Sequence, residues 1–224
     1  VPLLEAQGHQ VVAVDLPGNT YGEFDIPASQ ITLDTYAQHV CEVLDQLDEP
    51  VVLVGHSLGG LTITQTAEYR PDKIRSLVYL TAVLIGSGEA FIPVESRDAE
   101  TVRNALYREG RNTLSDDLST VSYREDIIHS MFFNDCSNDD SAWAKSMLVP
   151  QPSSPYMDPM QTTDDNFGRV PRFYIECLKD QALSADFQKQ MYAKLPCERV
   201  MTLDTGHSPF ISAPQDLVAH LVSV

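Results

Sequence analysis

The stretch Val51 to Gly60, VVLVGHSLGG, constrains this chain more than any other part of it. Val51 to Val54 is an unbroken apolar run of strand length, of the kind found where both faces of a parallel sheet are covered. A helix is predicted to follow Gly55-His56-Ser57-Leu58-Gly59-Gly60 and to run to about Tyr69, ending before Pro71. A strand that passes straight into a helix through Gly-x-Ser-x-Gly must turn so tightly that its central residue is strained. That turn pushes the Ser57 hydroxyl out of the sheet. Gly55 and Gly59 are expected where any Cβ would strike the neighbouring strand or helix. The helix start aims unpaired N–H groups and the positive end of its dipole at Ser57, which makes the Leu58 N–H a candidate oxyanion donor. Phosphate-binding loops do not fit. A dinucleotide fingerprint needs glycine where Ser57 stands, and a P-loop needs a Gly-Lys-Ser/Thr that is absent.

The rest of the chain supplies the frame. Val1 to Gln7 reads as the end of a helix, with Gly8 in the left-handed position beyond it. Gln10 to Asp15 (QVVAVD) is predicted as a strand stopped by Leu16-Pro17-Gly18-Asn19, and Thr32 to Leu47 as an amphipathic helix. Further strands are predicted at Ile74 to Thr81, Arg172 to Leu178 and Glu198 to Leu203, with helices at Ala185 to Lys194 and Pro214 to Val224. Strands alternating with helices mean an α/β architecture with a largely parallel sheet and right-handed crossovers. Between Leu84 and about Val170 that rhythm disappears. Asp98 to Arg108 and Ser141 to Leu148 are helix-like, and Val149 to Pro159 is rich in proline. A stretch this long carries structure of its own, read here as a helical cap laid over one edge of the sheet. The expected division is a core of 1–85 and 166–224 with a cap of 86–165.

Composition removes partners rather than naming them. Fifteen basic against 32 acidic residues leave a net charge of −17, which repels phosphate backbones and anionic lipid. No nucleic-acid or membrane partner is expected, and no apolar run is long enough to span a bilayer. Cys41, Cys136, Cys177 and Cys197 form no CxxC or Cys/His cluster, so no metal is expected. A Cys177–Cys197 disulfide stays open beside the plainer reading of four free thiols in a reducing compartment. That second reading places the protein in the cytoplasm, with a leader lost ahead of Val1 left open. A homodimer is an admissible assembly.

A serine hydroxyl needs a base to take its proton. Among His9, His39, His56, His129, His207 and His220, His207 lies just past the last predicted strand, at the sheet edge where catalytic groups of open α/β sheets gather. His56 adjoins Ser57 and is expected to pack beside the elbow at the edge of the substrate site; His129 falls in the cap. The base needs an orienting carboxylate. Asp180 follows the strand Arg172 to Leu178 at the same edge. Asp204, three residues before His207, is its chief rival, and Asp186 reads as a helix-start residue with Ser184 as the N-cap. The order Ser57, Asp180, His207 follows.

VVLVGHSLGG, YIECLKDQALSADFQ and LDTGHSPFISAPQDL, with VPLLEAQGHQVVAVDLPG upstream, resemble the α/β-hydrolase superfamily. Within it the chain is most similar to plant methyl esterases, hydroxynitrile lyases and their bacterial esterase relatives. The resemblance covers most of the core and weakens over Gly86 to Pro159. It implies Ser57 as nucleophile, Asp180 as acid, His207 as base, and no cofactor. Phe132-Phe133-Asn134-Asp135-Cys136 also resembles bacterial members, without a mechanistic reason in the sequence. In the family a strand and a His-Gly-type loop precede the helix with which this chain begins. The resemblance therefore implies that N-terminal strands and a second oxyanion donor are missing here. Lyase members carry lysine immediately after the catalytic histidine, where this chain has Ser208, and dehalogenases and epoxide hydrolases use an aspartate in place of Ser57. The expected activity is cleavage of a small or medium hydrophobic carboxylic ester through an acyl-enzyme. His56, Phe132, Phe133, Trp143 and Tyr156 are candidate substrate-binding residues. A lyase on the same triad and a silent ligand-binding homologue are the alternatives.

Overall fold

The computed structural model describes residues 1–19, 24–107 and 110–224. In chain order the elements of the sheet half are α1 (Pro2–Glu5), α2 (Leu33–Asp45), β1 (Val51–Ser57), α3 (Gly59–Tyr69) and β2 (Ile74–Ala82). Then come α4 (Ala99–Leu106), β3 (Asn112–Leu114), β4 (Thr120–Tyr123), α5 (Glu125–Phe132), α6 (Asn138–Ser146), β5 (Gln151–Pro152) and α7 (Ser154–Met157). The chain closes with β6 (Arg172–Cys177), α8 (Ala185–Lys194), β7 (Arg199–Leu203), α9 (Pro209–Ser212) and α10 (Pro214–Leu221).

β1, β2, β6 and β7 form a parallel sheet in that order. The period of two along β2 explains its continuous apolar sequence. Leu77 and Tyr79 enter one core with Leu33, Val40 and Leu61 from α2 and α3, while Val78 and Leu80 enter another with Ile175, Met201, Leu203 and Leu217. Because the strands are parallel, β1, β6 and β7 deliver the residues that follow them to one edge of the sheet.

One expected strand is not formed. Gln10 to Asp15 has no strand hydrogen bonds; Val12 is 57% exposed, while Val14 and Leu16 pack against the core. Apolar β-branched sequence favours extended chain, but a strand exists only beside a partner, and the sheet ends at β1. The turn after it forms as read. Asn19 N–H donates to the Leu16 carbonyl at 3.1 Å, and Gly18 has φ +75°, as the third residue of a type II turn requires.

The segment between β2 and β6 is mixed rather than purely helical. It contains the antiparallel sheet β3-β4-β5 beside α4 to α7, and two small cores around Leu106 and Val121 and around Ile128 and Phe133. The expected helix Asp98 to Arg108 begins with the Asp98 side chain capping Glu100 and Thr101; its expected end at Arg108 lies outside the described residues. The segment leaves and returns through a neck. Gly88 N–H donates to Met160 C=O, and Met160 N–H donates to Glu89 C=O, both at 2.8 Å. Beyond the neck Glu68 on α3 accepts from Thr163, Asn166 and Phe167, and Gln65 exchanges two hydrogen bonds with Gln161. Among the described residues no helix is long and apolar enough to cross a membrane.

Candidate active site

β1 ends on Ser57, which has φ +53°, and α3 begins two residues later. A non-glycine residue in this region costs about 1–3 kcal/mol and persists only where its surroundings fix it. Three contacts do so. The Val83 N–H donates to Ser57 C=O at 2.9 Å. A Cβ on Gly55 would stand 2.6 Å from Gly59 O, and one on Gly60 would stand 2.2 Å from Val83 O. The close approach expected at Gly59 falls at Gly60 instead: nothing lies within 4 Å of a Cβ on Gly59, which lines the cavity. Leu58 is the N-cap of α3 and no side chain caps the helix, which leaves its first N–H groups to the site.

Asp180 and His207 sit on the loops beyond β6 and β7. The two loops continue the strand pairing, with Leu178 N–H to Leu203 C=O at 3.0 Å and Lys179 N–H to Thr205 C=O at 2.9 Å. Asp180 Oδ2 lies 2.6 Å from His207 Nδ1, and the two side chains are 0% and 3% exposed. Since a carboxylate only accepts, the proton is on Nδ1 and the Nε2 lone pair is free to act as a base. Asp180 Oδ1 accepts from the N–H groups of Ala182 at 2.7 Å and Leu183 at 2.9 Å, and the Thr81 hydroxyl donates to Oδ2. Burial alone would raise the carboxyl's pKa. The bond and charge of His207, with the Thr81 and Leu183 donors, outweigh burial and hold it below its ordinary value. Thr81, at the end of β2 with φ +35°, was invisible in the sequence, where it reads as one more strand residue.

Most of the rival groups have other partners, and His9 is exposed. Asp204 is exposed and pairs with Lys179 Nζ at 2.7 Å, and Asp186 is an exposed residue in the first turn of α8, whose N-cap is Ser184. His129 bonds Ser141 Oγ, His39 stacks edge-on with Phe24, and His220 meets Thr202 C=O. His56 Nε2 donates to the His207 carbonyl at 2.7 Å, with ring centroids 4.5 Å apart. Desolvation, and then the neighbouring His207, pull its pKa down to about 3, so His56 is a neutral support under the His207 loop as well as part of the cavity wall.

Ser57, Leu58 and His207 all face a cavity of about 1000 Å³. Among the described residues Ser57 Oγ makes no hydrogen bond, so serine and histidine share the cavity with no hydrogen bond between them. Of the other expected residues, the Phe132 ring lies 5.4 Å from the His207 ring, and Tyr156 is buried in the wall with its hydroxyl donating to Gln151 Oε1 at 2.7 Å. Trp143 is 62% exposed at the rim, and Phe133 is largely buried in the segment's own core. Among the described residues no group of three His, Cys, Asp or Glu side chains is placed to hold a metal. All four cysteines are free.

Comparison with known proteins agrees with this frame. The chain is 33% identical to a pyrethroid hydrolase of Sphingobium wenxiniae, over 97% of this chain and 78% of that one. It is 30% identical to salicylic acid-binding protein 2 of Nicotiana tabacum, over 100% and 89%. It is also 30% identical to putative methylesterase 11, chloroplastic, of Arabidopsis thaliana, of which it spans 59%. The chain spans between 52% and 66% of the length of the chloroplastic relatives it matches. Among solved structures, a pyrethroid hydrolase from Sphingobium faniae superposes with a TM-score of 0.82 at 28% identity, over 99% of this chain and 88% of that one. A methylesterase from Arabidopsis gives 0.81 at 26%, over 99% and 89%. The model of the alpha/beta hydrolase family matches residues 1–221, and the chain belongs to that family.

Proposed function

We propose that the protein is a serine esterase that cleaves small or medium hydrophobic carboxylic esters through an acyl-enzyme. The observation that carries this reading is a buried Asp180–His207 pair opening onto the cavity in which Ser57 sits on its strained turn. His207 Nε2 takes the Ser57 proton as Oγ attacks the ester carbonyl, and Asp180 holds the imidazolium that forms. The Leu58 N–H donates to the developing oxyanion. His207 returns the proton to the departing alkoxide, then activates water to release the acid and restore Ser57. The printed names of the relatives, a pyrethroid hydrolase and methylesterases, support ester cleavage.

The segment 86–165 acts in this reading as a cap over the core, since Phe132, Trp143 and Tyr156 from it face Ser57 and Leu58 across one cavity. The mainly apolar wall suits a hydrophobic acyl or alcohol group, and the volume lies at the large end of small-molecule sites. Four free thiols support a reducing, cytoplasmic setting. The test is intact-protein mass after treatment with a fluorophosphonate. A single adduct, lost in Ser57→Ala, is expected, followed by turnover of a panel of hydrophobic esters. No adduct on folded wild-type protein would overturn the mechanism.

A further inference from the structure

The loop after α5 carries Asn134 and Asp135, and these two neighbours reach both loops that hold the proposed acid and base. Asp135 Oδ2 accepts the N–H of Gly206, the residue before His207, at 2.6 Å. Asn134 Nδ2 donates to the carbonyl of Lys179, the residue before Asp180, at 3.0 Å. There is no slack between them: a Cβ on the buried Gly206 would stand 2.2 Å from Asn134 Oδ1 and 2.6 Å from Asp135 Oδ1. The grip is anchored on its own side. Phe133 is buried with Ile128 and Ala144, and the Phe132 ring leans toward His207.

We propose that Asn134 and Asp135 are positioning residues: one dipeptide from outside the main sheet fixes the residue before the acid and the residue before the base, and so sets the Asp180–His207 geometry. The proposal rests on the roles given above to Asp180 and His207, and on no particular substrate. Loops are more mobile than the strands they leave, and these two are tied to each other through Lys179 N–H and Thr205 C=O, so one bracket acts on both. The Asp135 bond is charge-assisted and therefore among the stronger ones available. A displacement of the order of 1 Å at a reacting group costs about 100-fold in rate, which makes the bracket kinetically visible while leaving the fold intact.

The test compares Asp135→Ala, Asn134→Ala and the conservative Asp135→Asn, which keeps an oxygen to accept from Gly206. Three quantities are read: the unfolding midpoint, the low-field proton resonance of His207 Nδ1–H, and the rate of fluorophosphonate labelling at Ser57. Asp135→Ala is expected to shift or broaden the resonance and to slow labelling by about 10- to 100-fold, with Asp135→Asn recovering most of both. A role in folding alone would move the midpoint and leave the resonance in place. If Asp135→Ala does not fold, Asn134→Ala, at an exposed residue, carries the same comparison with a smaller effect. Wild-type resonance and labelling rate in both alanine variants would overturn the proposal, as would slowed labelling with an unmoved resonance. Failure of wild-type protein to label would overturn the esterase reading alone, since the resonance still reports the bracket. Absence of the resonance from wild type would remove the pair on which the bracket acts.

Discussion

Replacing Gly60 with alanine, beside Gly59→Ala as its partner, tests the geometry of the elbow directly. The new Cβ at position 60 would lie 2.2 Å from Val83 O, so backbone must move by at least 0.8 Å (3.0 minus 2.2) to reach even a tight contact of 3.0 Å. Neither side yields cheaply. Val83 is bound through its N–H to the Ser57 carbonyl, and Gly60 is held in the first turn of α3, so relief of the clash drags the strained residue with it. Overpacking of this kind costs about 1–3 kcal/mol, and a backbone-on-backbone clash belongs at the upper end. At about 2–4 °C per kcal/mol for a chain of this size, a cost of about 3 kcal/mol lowers the melting temperature by about 6–12 °C. Gly59→Ala meets nothing within 4 Å and removes a helical glycine, so it is expected to be neutral or to stabilise by up to about 1 kcal/mol. Thermal unfolding by circular dichroism, with labelling of Ser57 as a second readout, decides the matter. A Gly60→Ala protein that melts with wild type, or a Gly59→Ala protein that melts below Gly60→Ala, would refute the reasoning.

Other outcomes follow from the same contacts. Asp180→Asn should lower ester turnover at pH 7 by about 10³- to 10⁴-fold, because an amide can hold His207 in the wrong tautomer; a loss under tenfold in steady-state kinetics would exclude Asp180 as the acid. His56 binds its proton less readily folded, with a pKa of about 3, than unfolded at the ordinary value of 6.5. Its contribution to stability is therefore complete above pH 6.5 and is lost as pH falls toward 3. Urea midpoints measured from pH 7.5 to 4 should decline less steeply in His56→Gln than in wild type, and parallel curves would count against a neutral His56 ring. Phe133→Ala should cost about 3–5 kcal/mol in urea unfolding. Trp143→Ala, at the exposed rim, should stay within about 0.5 kcal/mol and instead raise KM for bulky esters.

What could be read from the residues depended on the range of the interaction behind each signal. The helix over Ala185 to Lys194 and the strands at β6 and β7 declare themselves through local period and caps, and they form within a residue of their expected bounds. Ser57, Asp180 and His207, the residues proposed for catalysis, could be placed at one sheet edge because each ends or follows a legible strand. Gln10 to Asp15 failed because pairing depends on a neighbour that the segment's own composition does not report. β3, β4 and β5 are two to four residues long and hold too few alternations to register. Thr81, Asn134 and Asp135 act through partners 99, 45 and 71 positions away, so only the folded chain discloses what they do. The elbow glycines show the same limit at short range, since the motif marks Gly59 while the Val83 backbone, 23 positions beyond Gly60, decides for Gly60.

The pinched neck at Gly88, Glu89 and Met160 separates the length of the intervening segment from the stability of the sheet. With both ends held by mutual backbone bonds, and the returning chain moored to α3 through Glu68 and Gln65, the pairing of β2 with β6 is braced on the sheet side of the neck. Doubling an intervening loop adds only about 0.6 kcal/mol of closure entropy. Divergence can therefore lengthen, shorten or replace this module with little thermodynamic resistance. The exceptions are the ties from the module to the sheet half, among them the Asn134-Asp135 dipeptide and Asp158, which accepts the Leu33 N–H at the start of α2, and a transplanted module would have to reproduce them. The molecule is in this sense already divided along the line at which new specificities could be grafted.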